Sequence, residues 1–106
     1  MFDLRPIPAN AEGASYQVRV ELPYPTSWEQ YEQLHERMAN LGLYKRIVSD
    51  DGVVYELPDA EYCGNVRLGY IALRDLVRGI SDGIRPGSKV LVTEVVQWAW
   101  ALERAA

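Results

Sequence analysis

The chain has one histidine, His35, and it is the only side chain whose ordinary pKa lies near neutral pH. It falls in a stretch of helical spacing, at the edge of an apolar stripe of Tyr31, Leu34, Met38 and Leu41, on the side of Tyr31 and Trp28. There it can serve as a general acid or base at a helix–sheet boundary. A half-buried histidine satisfied by water or a backbone carbonyl is the commoner occurrence at such a place. Lys45-Arg46 and Arg67 fall in strand-like segments, and Arg74 and Arg78, four apart, share one helix face. Were Arg19 and Arg67 to share an open sheet face with some of the seven tyrosines, they would form an RNA-binding surface of stacking rings and phosphate-holding cations. The alternation points Tyr16 inward, however, and supplies no stacking pair in the third strand. Surface arginines balanced by Glu21, Asp75 and Glu94 are the simpler account. Cys63 has no neighbouring His or Lys and reads as a small buried residue. Asp50-Asp51 sits at a hairpin tip, where such residues make turns before they bind cations. With no phosphate-binding loop, dinucleotide glycine pattern or paired cysteines, no metal and no cofactor is expected.

The elements that position these residues follow from hydrophobic period. Residues 15–22 alternate, with Tyr16, Val18, Val20 and Leu22 inward and Gln17, Arg19 and Glu21 outward on a face not covered by helices. Pro23 and Pro25 end that strand. Thr26 or Ser27 caps a helix running to about Asn40, Glu29 stands in capping-box spacing from Thr26, and Gly42 supplies the stop. Glu29, Glu32 and Glu36 make an acidic outer helix face. A strand over 43–48 leads into the turn Ser49-Asp50-Asp51-Gly52. Residues 53–57 and 62–68 both qualify as the third strand, and spacing alone does not choose between them. A second helix over 70–81 carries Leu73, Leu76, Val77 and Ile80, with Asp82-Gly83 and Pro86-Gly87 as stops. The strand over 89–96 is apolar on both faces, which fits a central position or a partner surface. The order β-α-β-β-α-β predicts a ferredoxin-like α+β sandwich, an antiparallel sheet with two helices on one face.

A chain of 106 residues is one domain, and its 48% hydrophobic content is enough for a core without disulfides or metal. The domain spans 15–96. Residues 1–14 read as a flexible arm, and 97–106 as a tail whose Trp98 and Trp100 suit a strand extension or a docking segment. A net charge of −4 argues against sequence-independent nucleic-acid binding but leaves room for a local basic patch. No apolar run is long enough to span a bilayer, and the first 14 residues lack the apolar core of a secretory signal. One cysteine makes no internal disulfide, so a reduced, cytoplasmic chain is expected.

Residues 16–95 resemble the GhoS family, small ferredoxin-like proteins with a Cas2-like fold. The likeness lies in the Tyr-x-Val strand start and in Tyr24-Pro25-Thr26-Ser27, similar to the family's Tyr-Pro-Ser-Ser entry to the first helix. It continues in Met38, Leu43-Tyr44, Val48-Ser49-Asp50 with Gly52, and Leu57 and Tyr62 in spacing. The resemblance implies an antitoxin of a type V toxin–antitoxin system, a sequence-selective endoribonuclease acting on a toxin's messenger RNA. The family's basic position on the first helix falls here on His35 or Glu36, and the arm and the tail lie outside the likeness. On that reading His35 is the acid or base, Arg37, Lys45, Arg46 and Arg67 hold phosphate, and a metal-free route needs a 2′-hydroxyl nucleophile, hence RNA. The rival reading is a non-catalytic protein-interaction module of the kind phages and plasmids encode. It would bind a protein partner, or a second copy as a homodimer, through the last strand, the acidic helix face or Trp98 and Trp100. A contiguous basic patch would favour RNA, and an acidic or apolar face a protein.

Overall fold

The computed structural model describes residues 14–105. The arm expected over 1–14 lies outside them except for Ala14, which opens the first strand. The elements are β1 (Ala14–Glu21), α1 (Trp28–Asn40), β2 (Arg46–Val48), β3 (Val54–Glu56), β4 (Glu61–Val66), α2 (Tyr70–Ile84) and β5 (Lys89–Glu94). β1 is the centre of an antiparallel sheet of order β4-β1-β5, and β2 and β3 form a separate hairpin. The arrangement is the ferredoxin-like α+β sandwich, with β3 added. Of the two candidate third strands, the later one lies beside β1, with Val18 opposite Tyr62, and the earlier pairs with β2.

The alternation of β1 sets the core. Tyr16, Val18, Val20 and Leu22 are buried together with Leu34 and Met38 of α1, Leu43, Tyr62 of β4, and Leu73 and Val77 of α2. Leu41 and Ile80 pack around that cluster. Leu76 does not join it and is exposed. At 100° per residue it lies well off the centre of the stripe that Leu73, Val77 and Ile80 define. α2 also runs through Asp82-Gly83 to Ile84, one turn beyond the expected stop. The carboxylate of Asp82 accepts from the amides of Gly87 (3.1 Å) and Ser88 (3.0 Å) and from the Ser88 hydroxyl (2.7 Å), which ties the helix end to β5.

Two glycines bring α1 against the sheet. Gly42, at φ 91°, turns the chain out of the helix. Gly64 of β4 has no room for a side chain, because a Cβ there would stand 1.8 Å from the Gly42 carbonyl oxygen. This approach lets Tyr44 and Cys63 exchange two backbone hydrogen bonds of 2.8 Å, and it sets Lys45 beside β4. β5 is an edge strand, not a central one, and its outward Leu91 is 64% exposed.

The outward sheet face, free of helices as expected, carries a second cluster. Ile47 and Cys63 are buried there beneath Tyr44, Tyr55, Leu57, Trp98, Trp100 and Leu102. After β5 the tail crosses this face and pairs with β3, where Glu56 N–H donates to the Glu103 carbonyl (3.0 Å) and Ala105 N–H to that of Val54 (2.9 Å). Among the described residues no helix is long and apolar enough to cross a membrane.

Candidate functional site

The entry to α1 builds a cleft. Ser27, not Thr26, is the N-cap, and its capping-box partner is Gln30 in place of Glu29. The Ser27 hydroxyl accepts from Gln30 N–H (3.1 Å), and Ser27 N–H donates to the Gln30 side chain (3.0 Å). The Thr26 hydroxyl instead donates to the Pro23 carbonyl. Trp28 is thereby the first helical residue, and it is 73% exposed. Trp28, Glu32 and His35 recur at spacings of four and three and share one face. The opposite wall is the loop before β4, Asp59 and Ala60. Thr26, Ser27, Trp28, Tyr31, Glu32, His35, Asp59 and Ala60 together line about 430 Å³.

His35 is half-buried at the floor. Its Nδ1 lies 2.5 Å from the hydroxyl of Tyr62, a residue wholly buried on the helix side of β4. Burial pushes the Tyr62 phenol far above its usual pKa, with the Tyr31 and Glu32 side chains adding to the effect, so the hydroxyl keeps its proton. It can therefore orient the imidazole in either tautomer. When His35 Nδ1–H donates to Tyr62, Nε2 is a free base. When Tyr62 donates, Nε2 carries the proton and is a hydrogen-bond donor. Burial, and next the Lys45 ammonium, hold the His35 pKa below its usual value, against the opposing pull of Glu32 and Asp59. Lys45 Nζ donates to the Pro58 carbonyl (3.1 Å) and lies 5.9 Å from the centre of the Tyr62 ring.

The structure thus brings His35 and Lys45 together and scatters the other basic candidates. Arg37 is about 200° round the helix from His35, where its guanidinium reaches toward Gly83 of α2. Arg46 is paired with Glu56 on the hairpin (3.0 Å). Arg67 is exposed beyond β4. Arg19 is exposed on the outward sheet face; Tyr16 and Tyr62 face the helices, and the rings on the outward face are those of Tyr44, Tyr55, Trp98 and Trp100. Trp98 and Trp100 are half-buried edge-to-face on their own chain, 6.2 Å between centres, and Tyr55 stands 5.9 Å from Trp100. Among the described residues no three His, Cys, Asp or Glu side chains converge as metal ligands. Burial pushes the Cys63 thiol up to about 12, which makes it a packing residue. Tyr62 and Asp59 carry no motif. Only the β1–β4 register and the placement of α1 join them to His35.

No protein-family profile and no curated protein sequence matches the chain significantly.

Proposed function

We propose that this protein is an RNA-directed antitoxin of GhoS-like kind, and that it cleaves single-stranded messenger RNA in the cleft at the start of α1. The observation that carries the proposal is the meeting of His35, Tyr62 and Lys45 beside an exposed Trp28. These supply a proton-transfer group held in orientation, a cation and a stacking ring. The resemblance of residues 16–95 to the GhoS family supports the same reading, and the setting proposed with it is cytoplasmic.

The chemistry follows from the geometry. His35 Nε2, free when Nδ1–H donates to Tyr62, takes the proton of a 2′-hydroxyl. The 2′-oxygen forms a bond to the adjacent phosphorus, the bond from phosphorus to the 5′-oxygen breaks, and the leaving oxygen takes a proton from water. Lys45 offsets the charge that gathers on the phosphoryl oxygens. A lowered pKa keeps His35 unprotonated at neutral pH, as a base requires. The route needs no cofactor. Arg37, Arg46 and Arg67 act, if at all, on flanking phosphates outside the cleft. The experiment is incubation of purified protein with total cellular RNA, with and without chelator, followed by mapping of cut ends. Discrete ends that persist in chelator support the proposal. Intact RNA under both conditions removes it.

A second reading is favoured by one observation, the acidity of the cleft's surroundings. Glu29, Glu32 and Glu36 line the shelf beside Trp28 and His35, and Asp59 stands at the cleft. A basic segment of a protein partner would meet complementary charge there, and the exposed edge of β5 would be a second contact or a homodimer surface. Retention of a basic partner protein by the intact chain, with no effect on RNA, would establish it.

A further inference from the structure

The cleft holds carboxylates where an RNA site would be expected to hold cations. We infer that they read a base, and that the base is guanine in single-stranded RNA. The inference rests on the RNA reading above and gives it a substrate class. Trp28 presents an indole face to solvent at the head of α1. A ring so placed stacks any base, without sequence preference. Glu32 lies one turn further along the same face and His35 one turn beyond it, so the stripe from Trp28 to His35 is about 10 Å long, the reach of a nucleotide and its 3′ phosphate. Asp59 faces this stripe from the other wall. Neither carboxylate makes a hydrogen bond or ion pair among the described residues.

A base stacked on Trp28 therefore turns its edge toward carboxylate oxygens, which only accept hydrogen bonds. Guanine alone has two adjacent donors on its Watson–Crick edge, N1–H and the N2 amino group, and it can meet one carboxylate in bidentate fashion. Adenine and cytosine place an acceptor beside their amino donor. Uracil flanks its one N–H with two carbonyl oxygens, which a carboxylate repels. The acidic residues that oppose general RNA binding thus become selective for one base, with Glu32 as the principal reader and Asp59 across from it. The stacked guanosine would present its 2′-hydroxyl toward His35, and cleavage would follow the guanine.

The test is equilibrium binding at low salt of single-stranded uridine hexamers carrying one G, A, C or inosine, followed by tryptophan fluorescence and by anisotropy of an end-labelled strand. Guanine should bind about tenfold tighter than the other bases, the usual discrimination of a bidentate contact. Inosine, which lacks the N2 amino group, should fall between. Glu32→Gln should bring the guanine-to-uracil ratio to about one, Asp59→Asn should lower it, and circular dichroism should show both variants folded. Equal binding of all hexamers, or a guanine preference that survives both substitutions, overturns the inference and leaves the RNA reading standing. Binding of no hexamer, with an arginine-rich peptide binding instead, overturns both.

Discussion

Tyr62 and Cys63 are neighbours on β4, and their side chains leave the strand on opposite faces into two aromatic clusters of unlike character. On the helix side the Tyr62 hydroxyl meets His35, Trp28 stays open, carboxylates line a cleft of about 430 Å³, and the Lys45 ammonium lies near enough to act on His35. On the outward side the Cys63 thiol reaches no closer than 3.7 Å to the Arg46 carbonyl, its pKa is pushed up to about 12, and Trp98, Trp100 and Tyr55 close over it. Both regions are rich in aromatic rings. They differ in whether titratable groups lie within reach of solvent. The outward cluster performs the covering task that helices perform on the other face, and it leaves the cleft as the better place for chemistry.

The comparison can be broken most forcefully at Gly64, which the two regions share. Gly64→Ala drives a methyl group into the Gly42 carbonyl and should cost on the order of 4 kcal/mol, loosening Lys45 and the cover of Cys63 together. Chemical denaturation measures the loss, and an unchanged midpoint would deny the close approach. Leu34→Ala, in the core on the helix side, should cost about 2–5 kcal/mol. Truncation after Gln97 strips the outward face alone and uncovers Ile47 and Cys63. It should lower stability by about 2 kcal/mol and make Cys63 reactive to thiol reagents, while RNA cleavage survives. Loss of cleavage with folding intact would move function to the tail face.

Much of this was legible from spacing. The alternation of β1 and the stripe of α1 placed Val18, Val20, Leu34 and Met38 in one core, and the Asp-Gly turn and the Gly42 stop fell where expected. The misreadings have local causes. Leu76 satisfies a helical spacing but lies off the buried arc, and Ser81, which no apolar pattern nominates, is buried because its hydroxyl meets that of Ser88 at 2.6 Å. Two tryptophans in alternation announce a docked segment without saying that the surface it docks on is its own sheet. The bond between His35 and Tyr62 joins residues 27 apart in sequence, and it exists only once the register and the helix placement are both set.

Changes of charge and protonation sharpen the cleft. His35 binds its proton less readily in the folded chain than in the unfolded one. In the window from about pH 6.5 down to its lowered value, unfolding takes up a proton and stability falls as pH falls. Denaturation midpoints should show that slope in the wild type and a flatter one in His35→Gln. The acid limb of cleavage should likewise lie below about pH 6.5, and His35→Gln should slow cleavage about a hundred- to ten-thousand-fold. Lys45→Ala should weaken RNA binding and reduce its salt dependence by about one ion, whereas Arg37→Ala, on the far side of α1, should change little.

The most direct test of where function resides is an NMR titration of the isotope-labelled chain with a short single-stranded RNA whose 2′-hydroxyls are methylated to prevent cleavage. The account predicts saturable shifts at the amides and rings of Trp28, Glu32, His35, Asp59 and Lys45, with Gln17, Glu61, Trp98 and Trp100 unmoved. Shifts centred on the tail and the outward sheet face, or none at any RNA concentration at low salt, would contradict it.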